Sequence, residues 1–201
     1  MAHKFNKDYF EDGVRQNLSG YENYKWIPTR SIPEALTIKK HFDFDSCIDF
    51  GCAKGFLVHA LRLMGLNAYG EDISKYALDN CHPDVKEYLS LPNNNKCDLL
   101  IAKDVLEHIK EDELPSILNK LHSKASQFFF TIPLGDNDRF RIKEYEIDVT
   151  HVTKKDEQWW LELFNKNGFK LKEFSYSFGS FKEDWIKQYP YGNGFFILER
   201  N

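Results

Sequence analysis

Asp49-Phe50-Gly51-Cys52-Ala53-Lys54-Gly55 joins an apolar run to an apolar helix. Ser46 to Phe50, just before the turn, reads as a buried strand. Phe56 to Met64, just after it, reads as a helix that Gly65 stops. In a doubly wound sheet, ligands bind at the carboxyl ends of strands, where the strand order reverses. The glycines let the backbone turn sharply and approach a ligand without a Cβ clash. Asp49 puts a carboxylate near the turn, where a positively charged amino acid moiety would be attracted. Taken alone, the loop is equally a plain strand–helix turn.

Working outward, strands and helices alternate. Asn67 to Glu71 is a second strand, and Ser74 caps a short helix through Cys81. Val85 to Tyr88 is expected as a third strand, and Cys97 to Ala102 is a strongly apolar one. Leu114, Ile117, Leu118 and Leu121 give Asp112 to Lys124 helical spacing. Gln127 to Pro133 is another strand. Residues 134–152 form a long polar connection of the kind that is often functional. Thr153 is expected to start a helix carrying Trp159, Trp160, Leu163 and Phe164, closed by Gly168. The adjacent tryptophans cannot both face inward, so one is core and the other can border a site. Phe169 to Phe178 and Gly194 to Glu199 are strand-like, with no helical pattern between them. Upstream, residues 1–30 are polar and aromatic, and Ser31 is expected to cap a helix to about His41. The alternation implies a mainly parallel sheet covered on both faces, with the last two strands paired antiparallel at one end.

At 201 residues with 42% apolar content, the chain fits one packed domain. Lys plus Arg is 27 against 31 for Asp plus Glu, a net of −4, which argues against a broad nucleic-acid footprint. Cys47, Cys52, Cys81 and Cys97 make no C-x-x-C pair and have no zinc spacing, so they read as free thiols in a reducing compartment. No apolar run approaches the roughly 20 residues of a membrane helix, and the N-terminus has no signal core. A cytoplasmic location is expected, without a membrane partner.

The second strand ends in Gly70-Glu71-Asp72-Ile73-Ser74. An acid there suits a pair of ribose hydroxyls, because a carboxylate accepts two protons at once. Ile73 could pack on an adenine face. With Asp49 to Gly55, Gly70 to Ser74, and Asp98-Leu-Leu-Ile-Ala-Lys-Asp-Val-Leu-Glu-His-Ile109, the chain resembles the class I methyltransferases that use S-adenosylmethionine (SAM). The resemblance covers residues 38–201 and leaves 1–37 as an N-terminal aromatic lid or strap. It implies a three-layer Rossmann-like α/β fold, with a seven-stranded mostly parallel sheet and a C-terminal antiparallel hairpin. It also implies a cofactor set of Asp49, Gly51, Cys52, Gly55, Asp72, Ile73 and Lys103, the last through its backbone. The chain departs from the family after the third strand, where Glu87-Tyr88-Leu89-Ser90-Leu91 gives no assignable adenine contact. A nicotinamide enzyme would need G-x-G-x-x-G, which this loop lacks.

Asp104, Glu107 and His108 follow the fourth strand, and His151 lies in the long connection. Three readings stay open. His108 or His151, with Glu107, forms a base site that takes the proton of a hydroxyl. Alternatively Asp104, Glu107, His108 and His151 bind a divalent metal, an arrangement similar to the ligand set of small-RNA 3′-end 2′-O-methyltransferases, with Asp104 shorter than that family's Glu. Or the residues make only structural hydrogen bonds. The expectation is the base site without a metal: SAM-dependent methylation of a small-molecule or sugar hydroxyl, with S-adenosylhomocysteine (SAH) as product and no nucleic-acid partner. The alternatives are a metal-assisted RNA 2′-O-methyltransferase and a SAM-binding module without catalysis. The aromatic stretch from Gly20 to Trp26 reads as a lid over the cofactor or as a packed strap.

Overall fold

The helix α1 spans Lys7–Glu11, and α2 spans Pro28–His41. The strand β1 (Cys47–Phe50) leads through the glycine loop into α3 (Phe56–Leu63), then β2 (Ala68–Glu71) and α4 (Lys75–Asp79). Next come β3 (Leu89–Ser90), β4 (Leu99–Lys103), α5 (Leu114–Lys124) and β5 (Gln127–Pro133). A small hairpin, β6 (Gly135–Asp136) and β7 (Arg139–Phe140), precedes α6 (Glu157–Lys166), β8 (Phe169–Ser175), α7 (Glu183–Gln188) and β9 (Asn193–Arg200). These elements come from a computed structural model that describes residues 4–201.

Seven strands form one sheet in the order β3-β2-β1-β4-β5-β9-β8. The first five are parallel, and β9 runs antiparallel to both β5 and β8. Alternation along the central strands feeds two cores. Ile101, Phe129 and Phe195 pack on one face with Val58 and Leu61 of α3 and Ile38 of α2. Leu100, Phe128, Phe130 and Phe196 pack on the other with Leu118 of α5 and Trp160 and Phe164 of α6. Three layers result, as expected from strands buried on both faces. The strand order reverses between β1 and β4, where a crevice opens at their carboxyl ends.

Five local expectations are corrected. Residues 83–88 form a 3-10 helix, because Pro83 starts a tight turn after His82, and the third strand is only Leu89–Ser90. The helix α2 begins at Pro28, where the missing N–H costs nothing, and Ser31 is buried inside it. Asp156, not Thr153, caps α6, accepting the Trp159 N–H at 2.8 Å, while the Thr153 hydroxyl donates to the Ile109 carbonyl. The short helix α7 lies between β8 and β9, where no helical pattern was read. The connection 134–152 is built from the β6–β7 hairpin and a 3-10 helix over Lys143–Ile147. Trp160 is the fully buried tryptophan, and Trp159 is partly buried under Lys155. No described helix is long and apolar enough to cross a membrane.

Candidate functional site

After β1 the chain turns at Gly51, with φ of +79°, and a Cβ there would sit 2.4 Å from Cγ2 of Val105. The turn is therefore open only to glycine. The Gly51 and Cys52 N–H groups both donate to the Glu71 carbonyl, at 2.7 and 3.1 Å, which pins the loop to the end of β2. Asp72 completes the joint. Its Oδ2 accepts from the Ala53 N–H and its Oδ1 from the Ser74 N–H, both at 2.7 Å.

A cavity of about 590 Å³ opens above this joint. Gly51, Ala53, Asp72 and Ile73 from the ends of β1 and β2, Phe5, Phe10 and Tyr21 of the N-terminal segment, and Asp104 and His108 from beyond β4 all line it. Two adjacent acids, Glu71 and Asp72, border it, and their chemistry differs. Lys124 Nζ holds both Glu71 oxygens, at 2.5 and 2.6 Å, and the pair is buried. Asp72 faces only N–H donors, so lone pairs remain for a ligand. Burial raises its pKa, and the Ser74 and Ala53 N–H groups pull it back.

Asp49, Cys52, Gly55 and Lys103 do not line the cavity. Gly55 takes φ of +73° as the N-cap of α3. Cys52 packs under Gly70, and Lys103 pairs with Glu34 at 3.1 Å. Asp49 is buried; that burial pushes its carboxyl up to about 7, against an opposing pull from Lys103.

The N-terminal segment is tied to the loop at three points. The Ser74 hydroxyl donates to the Phe5 carbonyl at 2.5 Å. Lys54 donates to Glu11 at 2.5 Å and to the Tyr24 carbonyl at 2.8 Å. Phe10, Tyr21 and Tyr24 pack with Tyr76 of α4.

Beyond β4, Asp104 sits at φ of +56°. Lys182 Nζ lies 2.5 Å from its Oδ1 and also donates to the Tyr145 hydroxyl and the Asn193 side-chain Oδ1. Burial disfavours the Asp104 charge, but Lys182 outweighs it and the pKa falls below the usual range. Glu107 and His108 occupy a 3-10 turn, Leu106–His108. The Glu107 carbonyl accepts from the Val152 and Thr153 N–H groups, which brings the distal histidine loop against this turn. The rings of His108 and His151 are 4.6 Å apart. His151 Nδ1 bonds the Tyr145 carbonyl at 2.8 Å, so Nδ1 carries the proton and Nε2 keeps its lone pair.

Both histidines are held neutral. Burial, then His151, pushes His108 down to about 4, and burial lowers His151. Glu107 is fully buried and neither carboxyl oxygen has a hydrogen-bond partner. Burial and then Asp104 raise its pKa well above the carboxylate range. Donor atoms of Glu107, His108 and His151 lie within 4.8 Å of one another, so this trio could hold a cation. Among the described residues, His59, His82 and Asp84 form a second such group. There the imidazoles stack at 3.7 Å and 19°, so their in-plane lone pairs run side by side instead of converging.

The structure thus gathers Asp72, Ile73, Gly51 and His108 around one cavity and sets Glu107 and His151 beside His108. Asp148, Thr150 and Tyr9, which bond toward His108, had no role in the sequence reading. The spacing Asp148-Val149-Thr150 was their one local signal, since an Asp commonly caps the N–H two residues on.

A family model described as a methyltransferase domain matches residues 21–173. No curated protein matches the chain by sequence. Several solved structures share its fold. Magnesium protoporphyrin IX methyltransferase (ChlM) from Synechocystis PCC 6803, with bound SAH, is 17% identical at a TM-score of 0.65, over 100% of this chain and 98% of that one. The mitomycin 7-O-methyltransferase MmcR is 14% identical at 0.63, and the match spans 94% of this chain but just under two thirds, 66%, of that one. The small RNA methyltransferase HEN1 is 16% identical at 0.64, over 87% of this chain and 25% of that one.

Proposed function

The chain belongs to the methyltransferase domain family, and from that premise we propose that it moves a methyl group from SAM to a hydroxyl of a small molecule or sugar, releasing SAH. One observation carries the reading: a single cavity is lined by both Asp72 and a neutral histidine, His108. The cofactor supplies the activated methyl on its sulfonium. The protein's own residues bind, align and take up a proton.

Asp72 holds the ribose hydroxyls with the lone pairs that Ala53 and Ser74 leave free. Ile73 packs on the adenine, and Asp49 supplies the countercharge for the cationic end of SAM. The N-terminal segment ahead of α2 acts as the lid; its Phe5, Phe10 and Tyr21 exclude water from the transfer. The acceptor hydroxyl donates to Nε2 of His108 and gives up its proton as its oxygen bonds to the methyl carbon. The nearby carboxylates of Asp104 and Asp148 stabilise the imidazolium that forms. Four free cysteines support a reducing, cytoplasmic setting.

A second reading is supported by Glu107. Its two oxygens are buried and unpartnered beside two imidazoles. A divalent cation held by Glu107, His108 and His151 would acidify the hydroxyl, and the acceptor could then be an RNA 2′-hydroxyl.

The test is transfer of labelled methyl from SAM to panels of monosaccharides, phenols, small alcohols and RNA 3′ ends. We expect labelled ethers of a small acceptor, with His108→Ala lowering kcat about 100-fold or more and leaving SAH affinity within about threefold. Labelling of RNA alone, or full activity of His108→Ala, overturns the reading.

A further inference from the structure

The proton on His108 is not fixed by its immediate neighbour. Its Nδ1 lies 2.7 Å from the Thr150 hydroxyl oxygen, and a hydroxyl can either donate or accept. The direction is settled one residue further on. The Thr150 hydroxyl lies 2.5 Å from Asp148 Oδ1, and the Thr150 N–H donates to that same oxygen at 2.8 Å. The Tyr9 hydroxyl donates to Asp148 Oδ2 at 2.7 Å. Asp148, Thr150 and Tyr9 are all buried.

An ionised carboxylate has only acceptors to offer. The single Thr150 proton therefore goes to Asp148, and the Thr150 oxygen is left to accept from His108. His108 then carries its proton on Nδ1 and keeps Nε2 bare. Without the chain, the ring is free to take the other tautomer, which has no lone pair on Nε2. Phe5 packs edge-on against the same ring at 5.4 Å and limits its rotation. Tyr9 belongs to α1, so the helix that carries the aromatic wall of the cavity also ends on the carboxylate that sets the ring.

We propose that Asp148 and Thr150 are positioning residues that hold His108 in its Nδ1–H tautomer, and that Tyr9 joins α1 to this relay. The inference rests on the reading of His108 as the group that works through Nε2, and it serves that atom whether it takes a proton or binds a cation. Tautomer control of this kind is what a buried acid does for a base histidine and what an outer acceptor does for a metal-bound one.

The experiment reads the tautomer directly. Long-range 15N–1H spectra of the full chain with SAH bound should show His108 Nδ1 protonated and Nε2 with the shift of a bare ring nitrogen. Thr150→Val should move His108 to the Nε2–H form or a mixture, and lower kcat roughly 10–100-fold with the KM for SAM within about twofold. Thr150→Ser should restore both signals. A wild-type ring protonated on Nε2, or an unchanged tautomer in Thr150→Val, overturns the relay. The spectrum needs no turnover, so it is read apart from the fate of the base assignment, which full activity of His108→Ala would sink. The wild-type spectrum decides even if a variant fails to fold.

Discussion

Glu107 and His151 face each other across 3.9 Å, from Oε1 to Nε2, with no hydrogen bond between them. Burial favours the neutral form of each, raising the first group's pKa and lowering the second's. A neutral glutamic acid and a glutamine have nearly the same shape. We expect Glu107→Gln to keep kcat within about threefold and to keep its activity after dialysis against a chelator, as the base reading requires. Loss of activity on chelation, restored by a divalent ion, would transfer the role to the cation reading.

Asp72 and Glu71 are neighbours with different partners, and only Asp72 retains free lone pairs. Asp72→Ala should raise the SAH dissociation constant at least tenfold, since hydrogen bonds to a charged group contribute about 1.5–3 kcal/mol each. Calorimetric titration measures it, and an unchanged constant would remove Asp72 from the ribose role.

Asp49 predicts a pH effect. Its folded pKa, raised by burial to about 7 from 3.8, means that the folded chain binds more protons than the unfolded one between those values. This group's contribution to stability therefore falls as pH rises from about 4 to about 7. A cationic cofactor favours the charged form and pulls the pKa down. SAM should then bind more tightly as pH rises through 7 and should release protons at pH 6.5, more than SAH does. Titrations in buffers of different ionisation heat detect the release, and Asp49→Asn should abolish it.

Lys182 and Asp104 form a partly buried pair, with the lysine covered and the acid open to the cavity. Lys182→Met removes the acid's partner and should cost roughly 1–3 kcal/mol in urea unfolding. Adding Asp104→Asn should recover most of that loss, because the uncompensated charge is gone and Asn tolerates the φ of +56° at this position. Equal losses in the single and double variants would mean that the ion pair is not the cause.

The parts legible in the sequence were those with a local signature. Gly51 marks a turn that only glycine can make, and the apolar runs of β4 and β5 belong to strands covered on both faces. The edge strand β3 was misjudged because it pairs on one side and over two residues only, so no alternating pattern could develop. The helix α7 offers little beyond Trp185 and Ile186 to mark a face. Around the site, His108, His151 and Glu107 stood out by chemistry. The Tyr9–Asp148 bond joins positions 139 residues apart, and Lys124 reaches Glu71 across 53. Such pairs exist only once the sheet has brought the ends of β2, β4 and β5 together.

The five residues of α1 are fastened just before their start and at their middle, with the preceding Phe5 carbonyl on Ser74 and Tyr9 on Asp148. A helix this short has no independent stability. Its persistence comes from those fastenings and from the rings beneath it. On the proposed lid reading, spent cofactor would leave only when both contacts part. The residence time of SAH would then depend on Ser74 and Tyr9 as much as on Asp72, and weakening either contact should shorten that time before it touches the chemistry.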